Sequence, residues 1–166
     1  MKKLICLLLS TLFLFALVAC DNTAGLNETD FSSYRANGVS VPLDAEAKPI
    51  LEALGPYLQR DSTDSCYGNG PDVAYDYPSF RLQTYTVDGV EYLLSIHIYN
   101  DSDLSIAKTS EGLVLGAKKE DVLQMYGTPE TEDSFKLVYV NSTLKTKLQF
   151  SLSNGIVTKI EYLKSE

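Results

Sequence analysis

Residues 81–99 read Arg81-Leu-Gln-Thr-Tyr-Thr-Val-Asp-Gly-Val-Glu-Tyr-Leu-Leu-Ser-Ile-His-Ile-Tyr99, two alternating runs of apolar and polar residues that meet at Asp-Gly. Residues 145–163 have the same form around an Asn-Gly pair, Asn154-Gly155. Alternation with a period of two predicts β-strands, and Asp-Gly and Asn-Gly are typical of hairpin turns. The sequence therefore predicts two antiparallel β-hairpins.

Side-chain alternation also predicts the length of the two turns. A two-residue turn would place Leu82 opposite Ser95 and would mix apolar and polar side chains on each face. A three-residue loop instead places Leu82 opposite Leu94, and the second hairpin behaves in the same way. The sequence thus favours three-residue loops in which Gly89 and Gly155 have positive φ.

A short helical pattern precedes each hairpin. Apolar residues at i, i+1 and i+4, followed by glycine and then proline, predict helices over about 44–58 and 117–126. Further strands are expected at 73–77, 104–108 and 134–141. Each half then consists of a helical segment followed by an antiparallel meander. The sequence predicts an α+β fold of two tandem repeats, residues 37–103 and residues 104–166.

The first twenty residues combine a short positive segment with a longer apolar one. Lys2 and Lys3 precede an uncharged segment that extends from residue 4 to residue 19. As a helix this segment would be about 24 Å long, shorter than the roughly 30 Å hydrocarbon core of a bilayer. Its length therefore favours a cleaved signal over a permanent membrane span.

The segment ends in Leu17-Val18-Ala19-Cys20, which resembles the lipobox of bacterial lipoprotein signal peptides. The resemblance implies that residues 1–19 are removed by cleavage after Ala19 and that the Cys20 sulfur carries a diacylglyceryl group. Two acyl chains satisfy the requirement for stable anchoring. We expect a protein anchored to the extracytoplasmic face of the cell membrane, with residues 20–36 as lipidated cysteine and flexible tether.

The second half of the chain resembles a family of cell-envelope proteins. Gly112-Leu-Val-Leu-Gly116, a helix ending in Tyr126-Gly127-x-Pro129 and the closing strands around Asn154-Gly155 are similar to small outer-membrane lipoproteins of the SmpA/OmlA type. Duplication of such a unit is similar to the tandem-repeat β-lactamase inhibitory proteins. Because both families act by binding proteins, the resemblance implies a non-enzymatic binding module with a protein partner in the envelope.

Composition excludes several other classes of protein. The chain has 14 Lys and Arg against 22 Asp and Glu, a net charge of −8, which argues against nucleic-acid binding. A hydrophobic content of 45 % is too high for a disordered chain. One histidine and three cysteines leave little for metal clusters or acid–base catalysis. We therefore expect no catalytic residues, no metal site and no cofactor.

Cys66 is the only cysteine that would remain as a free thiol after cleavage and lipidation. We expect it to lie beneath a loop as a small apolar residue. An intermolecular disulfide and a nucleophile paired with His97 are the alternatives for this residue. An envelope enzyme or redox-active protein that uses Cys66, and a small-solute-binding lipoprotein, are the alternative functions.

Tyrosine is unusually frequent, with eleven residues against no tryptophan. The predicted register places Tyr85, Leu93, His97 and Tyr99 on the outer face of the first hairpin, whereas the second hairpin carries mainly lysine there. Tyrosine is enriched at protein interfaces because it combines apolar area with a polar tip. The four residues are therefore the candidate interaction surface, and packing against the rest of the chain is the alternative.

Overall fold

The computed structural model describes residues 30–32, 37–99, 107–109 and 111–165, so the predicted signal peptide, Cys20 and most of the tether lie outside the described residues. The helices are α1 (Ala47–Leu54) and α2 (Lys119–Tyr126). The strands are β1 (Asp30–Ser32), β2 (Asn37–Ser40), β3 (Gln59–Thr63), β4 (Asp72–Asp76), β5 (Phe80–Val87), β6 (Val90–Ile98), β7 (Thr131–Glu132), β8 (Lys136–Asn141), β9 (Thr146–Ser153) and β10 (Ile156–Lys164). Neither helix is long and apolar enough to cross a membrane.

Eight of these strands form one antiparallel sheet with the order β3-β4-β5-β6-β10-β9-β8-β7. β1 and β2 form a separate two-stranded sheet. The strands predicted at 73–77 and 134–141 correspond to β4 and β8, and the two predicted hairpins are β5–β6 and β9–β10. Most of the strand predicted at 104–108 lies outside the described residues.

The predicted α+β fold of two tandem helix-and-meander repeats is wrong, because strands from both halves of the chain form a single sheet. β6 pairs directly with β10, with Ile98 opposite Ile160 and Ile96 opposite Tyr162. Unpaired strand edges would expose backbone N–H and C=O groups, and this pairing satisfies both edges at once. Among the described residues, helix is confined to two eight-residue segments, so the sheet dominates this part of the chain.

Both helices begin later than predicted, because the residues before each one pair with a strand. Asp44 N donates to Leu93 O at 2.8 Å, and Leu93 N donates to Ala45 O at 2.9 Å. Before α2, Val157 N donates to Ala117 O at 2.8 Å. Extended pairing of these segments with the sheet outweighs the weak helical preference of their sequences.

Both hairpins turn on two residues rather than three. Val87 pairs with Val90 in the first hairpin, and Ser153 pairs with Ile156 in the second. The central residues all have positive φ: Asp88 (52°), Gly89 (81°), Asn154 (52°) and Gly155 (75°). Two successive positive φ values are typical of the type I′ turn, whose twist matches that of the strands. The positive φ predicted for both glycines is confirmed, and the three-residue loops are wrong.

Each hairpin contains a β-bulge, which shifts the register of the two strands by one residue. This is the same shift that a three-residue turn would have produced. In β5–β6 the register shifts between Gln83 and Thr84, which leaves Leu94 without an opposite residue. Leu93 is 0 % exposed and packs in the core, whereas Leu94 is only half-buried. A bulge places one extra residue in one strand and so inverts the alternation beyond it.

One face of the sheet carries a continuous apolar core that includes residues of both helices. α1 contributes Ala47, Ile50 and Leu54, and α2 contributes Val122 and Tyr126. The largest fully buried side chains are Tyr162, Phe80, Phe150, Leu54, Leu82, Leu93, Ile96, Ile98, Leu137, Leu148 and Ile160. Since the strands alternate, their remaining side chains point to the opposite face, which we call the open face.

Candidate functional site

The open face carries a row of polar side chains across its central strands. In register from β4 to β9, the residues are Asp76, Arg81, His97, Glu161 and Gln149. Directly opposite residues on neighbouring strands have Cβ atoms about 4.5–5.5 Å apart, so each can contact the next. We call these five residues the polar row.

The imidazole of His97 is held from both sides at the centre of the polar row. Its Nδ1 lies 2.9 Å from Glu161 Oε1 on β10, across the junction between the two halves of the sheet. Its Nε2 lies 2.8 Å from Ser95 Oγ and 3.1 Å from Gln83 Oε1. Because three strands supply these contacts, His97 is rigidly positioned.

Glu161 is a buried carboxylate with three polar neighbours. The residue is only 7 % exposed, which disfavours its charged form. Gln149 Nε2 donates to it at 3.1 Å, and the contacts from His97 and from Lys159 Nζ at 2.6 Å outweigh the burial penalty. His97 and Lys159 together lower the pKa of Glu161 to about 2.

Arg81 and Asp76 form the second charged pair of the polar row. Arg81 Nε and Nη2 donate to the two carboxylate oxygens of Asp76 at 2.6 and 2.8 Å. The hydroxyl of Tyr99 also donates to Asp76 Oδ1, at 3.1 Å. These hydrogen bonds, chiefly the one from Arg81, lower the pKa of Asp76. The pair anchors Tyr99 at the edge of the polar row.

The low pKa of Glu161 predicts a specific sensitivity to acid. The folded pKa of about 2 lies below the ordinary value of 4.5, so ionised Glu161 stabilises the fold fully above pH 4.5. As the pH falls from 4.5 towards 2, we expect a loss of about 2–3 kcal/mol of unfolding free energy. Urea unfolding of the wild type and of Glu161→Gln over this range measures it. A pH dependence that is the same in both proteins would contradict the prediction.

Ser95, His97 and Glu161 stand in the order of the nucleophile, base and orienting acid of serine hydrolases. The surroundings of Ser95 do not suit that chemistry. The residue is 3 % exposed, and its hydroxyl also donates to Gln83 Oε1 at 2.7 Å. Its backbone lies between β5 and β10 within the sheet, and N–H groups of the described residues do not converge there as an oxyanion hole would need. These contacts favour a role for Ser95 in positioning the imidazole.

Three of the four residues predicted to form the interaction surface lie on the open face. Tyr99 is 41 % exposed, and His97 and Tyr85 are half-buried. The placement of Leu93 on this surface is wrong, because the bulge at Leu94 turns Leu93 into the core. A register shift of one residue inverts the face of every side chain beyond it.

Tyr85 lies in an aromatic cluster near one end of the open face. Its ring centroid is 5.5 Å from that of Tyr67 and 5.7 Å from that of Tyr92. Its hydroxyl donates to Asp44 Oδ1 at 2.8 Å, and Lys164 Nζ lies 4.9 Å from the ring centroid. Burial and the bond to Asp44 raise the pKa of Tyr85. The cluster is therefore held to neighbouring segments through Asp44 and Lys164, and Tyr85 is less exposed than Tyr99.

Cys66 lies in the loop between β3 and β4 and is exposed, so the expectation of a buried cysteine is wrong. The loop packs against the end of β5 through its backbone, with Asn69 N donating to Thr86 O at 3.1 Å. A Cβ on Gly68 would lie 2.0 Å from Thr86 O, so only glycine fits this close approach. The polar contacts of the His97 ring are to Ser95, Gln83 and Glu161, so Cys66 and His97 do not form the pair considered above.

Two concave regions border these residues. A shallow depression of about 400 Å³ on the open face is lined by Arg81, Gln83, His97, Tyr99 and Lys159. An apolar groove of about 490 Å³ between α1 and the tip of the first hairpin is lined by Glu46, Lys48, Leu51, Glu52, Tyr57, Tyr75, Gly89, Val90 and Glu91. Among the described residues, no group of three or more histidine, cysteine, aspartate and glutamate side chains has an arrangement that could hold a metal ion.

Alternation places Lys159 and Glu161 on the outer face of the second hairpin, but neither they nor Arg81 were predicted as site residues, because charged residues at alternate strand positions are also typical of an ordinary solvated face. Glu161 and His97 are 64 residues apart and meet only because β6 pairs with β10. The available signal was that alternation places Arg81 on the outer face of the first hairpin, with His97, and the other two charges on the outer face of the second. Without the order of the strands, this signal does not show which of these side chains contact one another.

No protein-family model and no curated protein matches the sequence. Among solved structures, the chain is similar to an extracellular protein containing an SCP domain from Bacillus anthracis, with 12 % identity and a TM-score of 0.41. The match covers 74 % of this chain and 44 % of that chain, so this chain spans less than half the length of that protein. A similarity of this degree gives no basis for transferring a function.

Proposed function

We propose that this protein is a lipid-anchored binding module on the extracytoplasmic face of a bacterial cell membrane. It binds a protein partner through the open face of the sheet and performs no catalysis. The proposal of a lipid anchor rests on the lipobox-like Leu17-Val18-Ala19-Cys20 after an uncharged segment. The proposal of binding rests on the arrangement of side chains across β4, β5, β6 and β10.

The observation that carries the binding proposal is the exposed Tyr99 next to a rigid polar row. The side chain of Arg81 is 38 % exposed and that of Lys159 is 39 % exposed, so both are accessible beside the tyrosine ring. Tyrosine and arginine are enriched in the centres of protein interfaces. Hydrogen bonds within the row already fix these side chains, which lowers the entropy lost when a partner binds.

The proposed tether separates the folded part from the bilayer, which leaves the open face accessible to a partner. The tether predicted for residues 20–36 includes β1, which pairs with β2, so the proposal counts only residues 20–29 as flexible, with a root-mean-square span of roughly 16–19 Å. The acidic chain, with a net charge of −8, is repelled by anionic lipid head groups. The folded part therefore stands away from the bilayer, with its open face accessible to another protein of the envelope.

Replacing Tyr99 with alanine should weaken partner capture without unfolding the protein. We expect at least about a tenfold loss of partner affinity, because a tyrosine at the centre of an interface that acts as a hot spot contributes about 2 kcal/mol or more. Met125→Ala on α2 is the matched control, since Met125 is 40 % exposed and lies on another surface. Both variants should melt within a few degrees of the wild type.

Cross-linking in native membranes, followed by purification and quantitative mass spectrometry, measures this loss. The comparison uses the partner that is enriched with the wild-type chain over a chain-free control. Capture retained by Tyr99→Ala, or lost equally in Met125→Ala, would contradict binding through the open face.

A further inference from the structure

We propose that the depression beside His97 binds the carboxylate of an aspartate or glutamate side chain on the protein partner. This inference rests on the proposed function, because it takes the occupant of the open face to be a protein. It follows from the hydrogen-bonding capacity that remains after the internal contacts of the polar row are made.

The two carboxylates of the polar row have little acceptor capacity left. Asp76 accepts two hydrogen bonds from Arg81 and one from Tyr99. Glu161 is contacted by His97, Lys159 and Gln149. A carboxylate has about four acceptor positions, so about three of the four are occupied in each. The row therefore presents few free acceptors to a ligand.

The two cations, in contrast, keep donors that no described residue uses. Arg81 has five N–H groups, and only two of them contact Asp76. Lys159 has three N–H groups, and one of them is taken by Glu161. Both side chains line the depression and are more than a third exposed. The depression is thus rich in donors and poor in acceptors.

A carboxylate fits this pattern because its two oxygens accept several charge-assisted hydrogen bonds at once. The planar guanidinium of Arg81 suits the planar carboxylate, and Lys159 adds a positive charge beside it. The chain's net charge of −8 opposes the approach of an anion from a distance. Selection must therefore come from short-range hydrogen bonds within the depression.

The shape of the depression favours a protein as the source of the carboxylate. Sites for small molecules usually bury most of the ligand surface in an enclosed cleft. This depression is shallow and lies on the face of a sheet, lined by side chains of β5, β6 and β10 and by Tyr99. A carboxylate side chain that projects from a partner's surface can reach the depression. The partner's surface around that side chain then covers the open face around the depression.

The test compares two peptides that differ only in one charged group, acetyl-Gly-Glu-Gly-amide and acetyl-Gly-Gln-Gly-amide. They are titrated into the mature lipidated protein in detergent, and amide shifts of Arg81, His97 and Tyr99 are followed by NMR. We expect the glutamate peptide to bind with a Kd of ~1–10 mM. The glutamine peptide should bind about fivefold more weakly, since an exposed ion pair contributes up to about 1 kcal/mol.

Lys159→Gln should abolish the preference for the glutamate peptide, and Lys159→Arg should retain it. Lys119→Gln on α2 is the control, because Lys119 also pairs with a glutamate, Glu132, but lies away from the depression. Equal affinity for the two peptides, or no saturable shift up to about 50 mM peptide, would overturn the proposal. Acetate binding as tightly as the glutamate peptide would also overturn it, in favour of a free small carboxylate.

Partner capture separates this proposal from the proposed function. If Lys159→Gln retains full capture while Tyr99→Ala loses it, the open face binds protein but not through a carboxylate. If both variants lose capture and the peptides behave as expected, both proposals stand. If neither variant loses capture, binding through the open face fails, whatever the peptides do.

Discussion

Replacing Leu93 with alanine should destabilise the protein by about 2–5 kcal/mol, the usual range for a fully buried leucine. Leu93 is 0 % exposed and packs in the core, and the cavity left by truncation adds to the lost transfer free energy. The same substitution at the adjacent Leu94 should cost less than about 1 kcal/mol, because this side chain is half-buried on the other face. Urea unfolding followed by circular dichroism measures both changes.

Comparing the stability losses of these two variants tests the register of the first hairpin directly. The bulge places Leu93 in the core and Leu94 outside it, whereas a three-residue turn without the bulge would do the reverse. A greater loss of stability for Leu94→Ala than for Leu93→Ala would therefore contradict the two-residue turn and the bulge together.

The Cys20→Ala variant should abolish lipid attachment and signal cleavage completely. The diacylglyceryl group of a lipoprotein is joined through the cysteine sulfur, and alanine has no atom that can form the thioether. We expect an uncleaved precursor that retains residues 1–19 and lacks the added lipid mass. Intact-mass measurement of the membrane fraction distinguishes the two forms.

Cys66→Ala is the control for the loss of a sulfur atom. Cys66 lies in an exposed loop of the folded part, so its replacement should leave the mature lipidated mass changed only by the substitution itself. A wild-type N-terminus other than a modified Cys20 would contradict the proposed anchor.

Local features of the fold were predictable from the sequence, because they depend on neighbouring residues. The Asp-Gly and Asn-Gly pairs mark both hairpin turns, and the glycines at 55 and 127 have positive φ at the ends of the two helices. The junction of β6 and β10 was not predictable in this way. Which strand edges meet depends on the packing of side chains about sixty residues apart, and alternation within one hairpin carries no information about it.

The candidate site was predictable in part for the same reason. Alternation placed Tyr85, His97 and Tyr99 on the open face, where the structure has them. It misplaced Leu93, because a bulge and a longer turn both resolve the same conflict in alternation and the sequence does not distinguish them. The contact of Glu161 with His97 forms because β10 lies next to β6, and the sequence does not give this strand order. The polar row, with the contact of Glu161 to Lys159 within it, could therefore be recognised only in the structure.

The most direct test of binding through the open face is site-specific photo-cross-linking in native membranes. A photoreactive phenylalanine replaces Tyr99 in one protein and Met125 in another, two positions with nearly equal exposure on different surfaces. Binding through the open face predicts a discrete adduct of defined mass from position 99, lost upon competition with excess wild-type protein, and none from position 125. An adduct from position 125 with none from position 99 would contradict it.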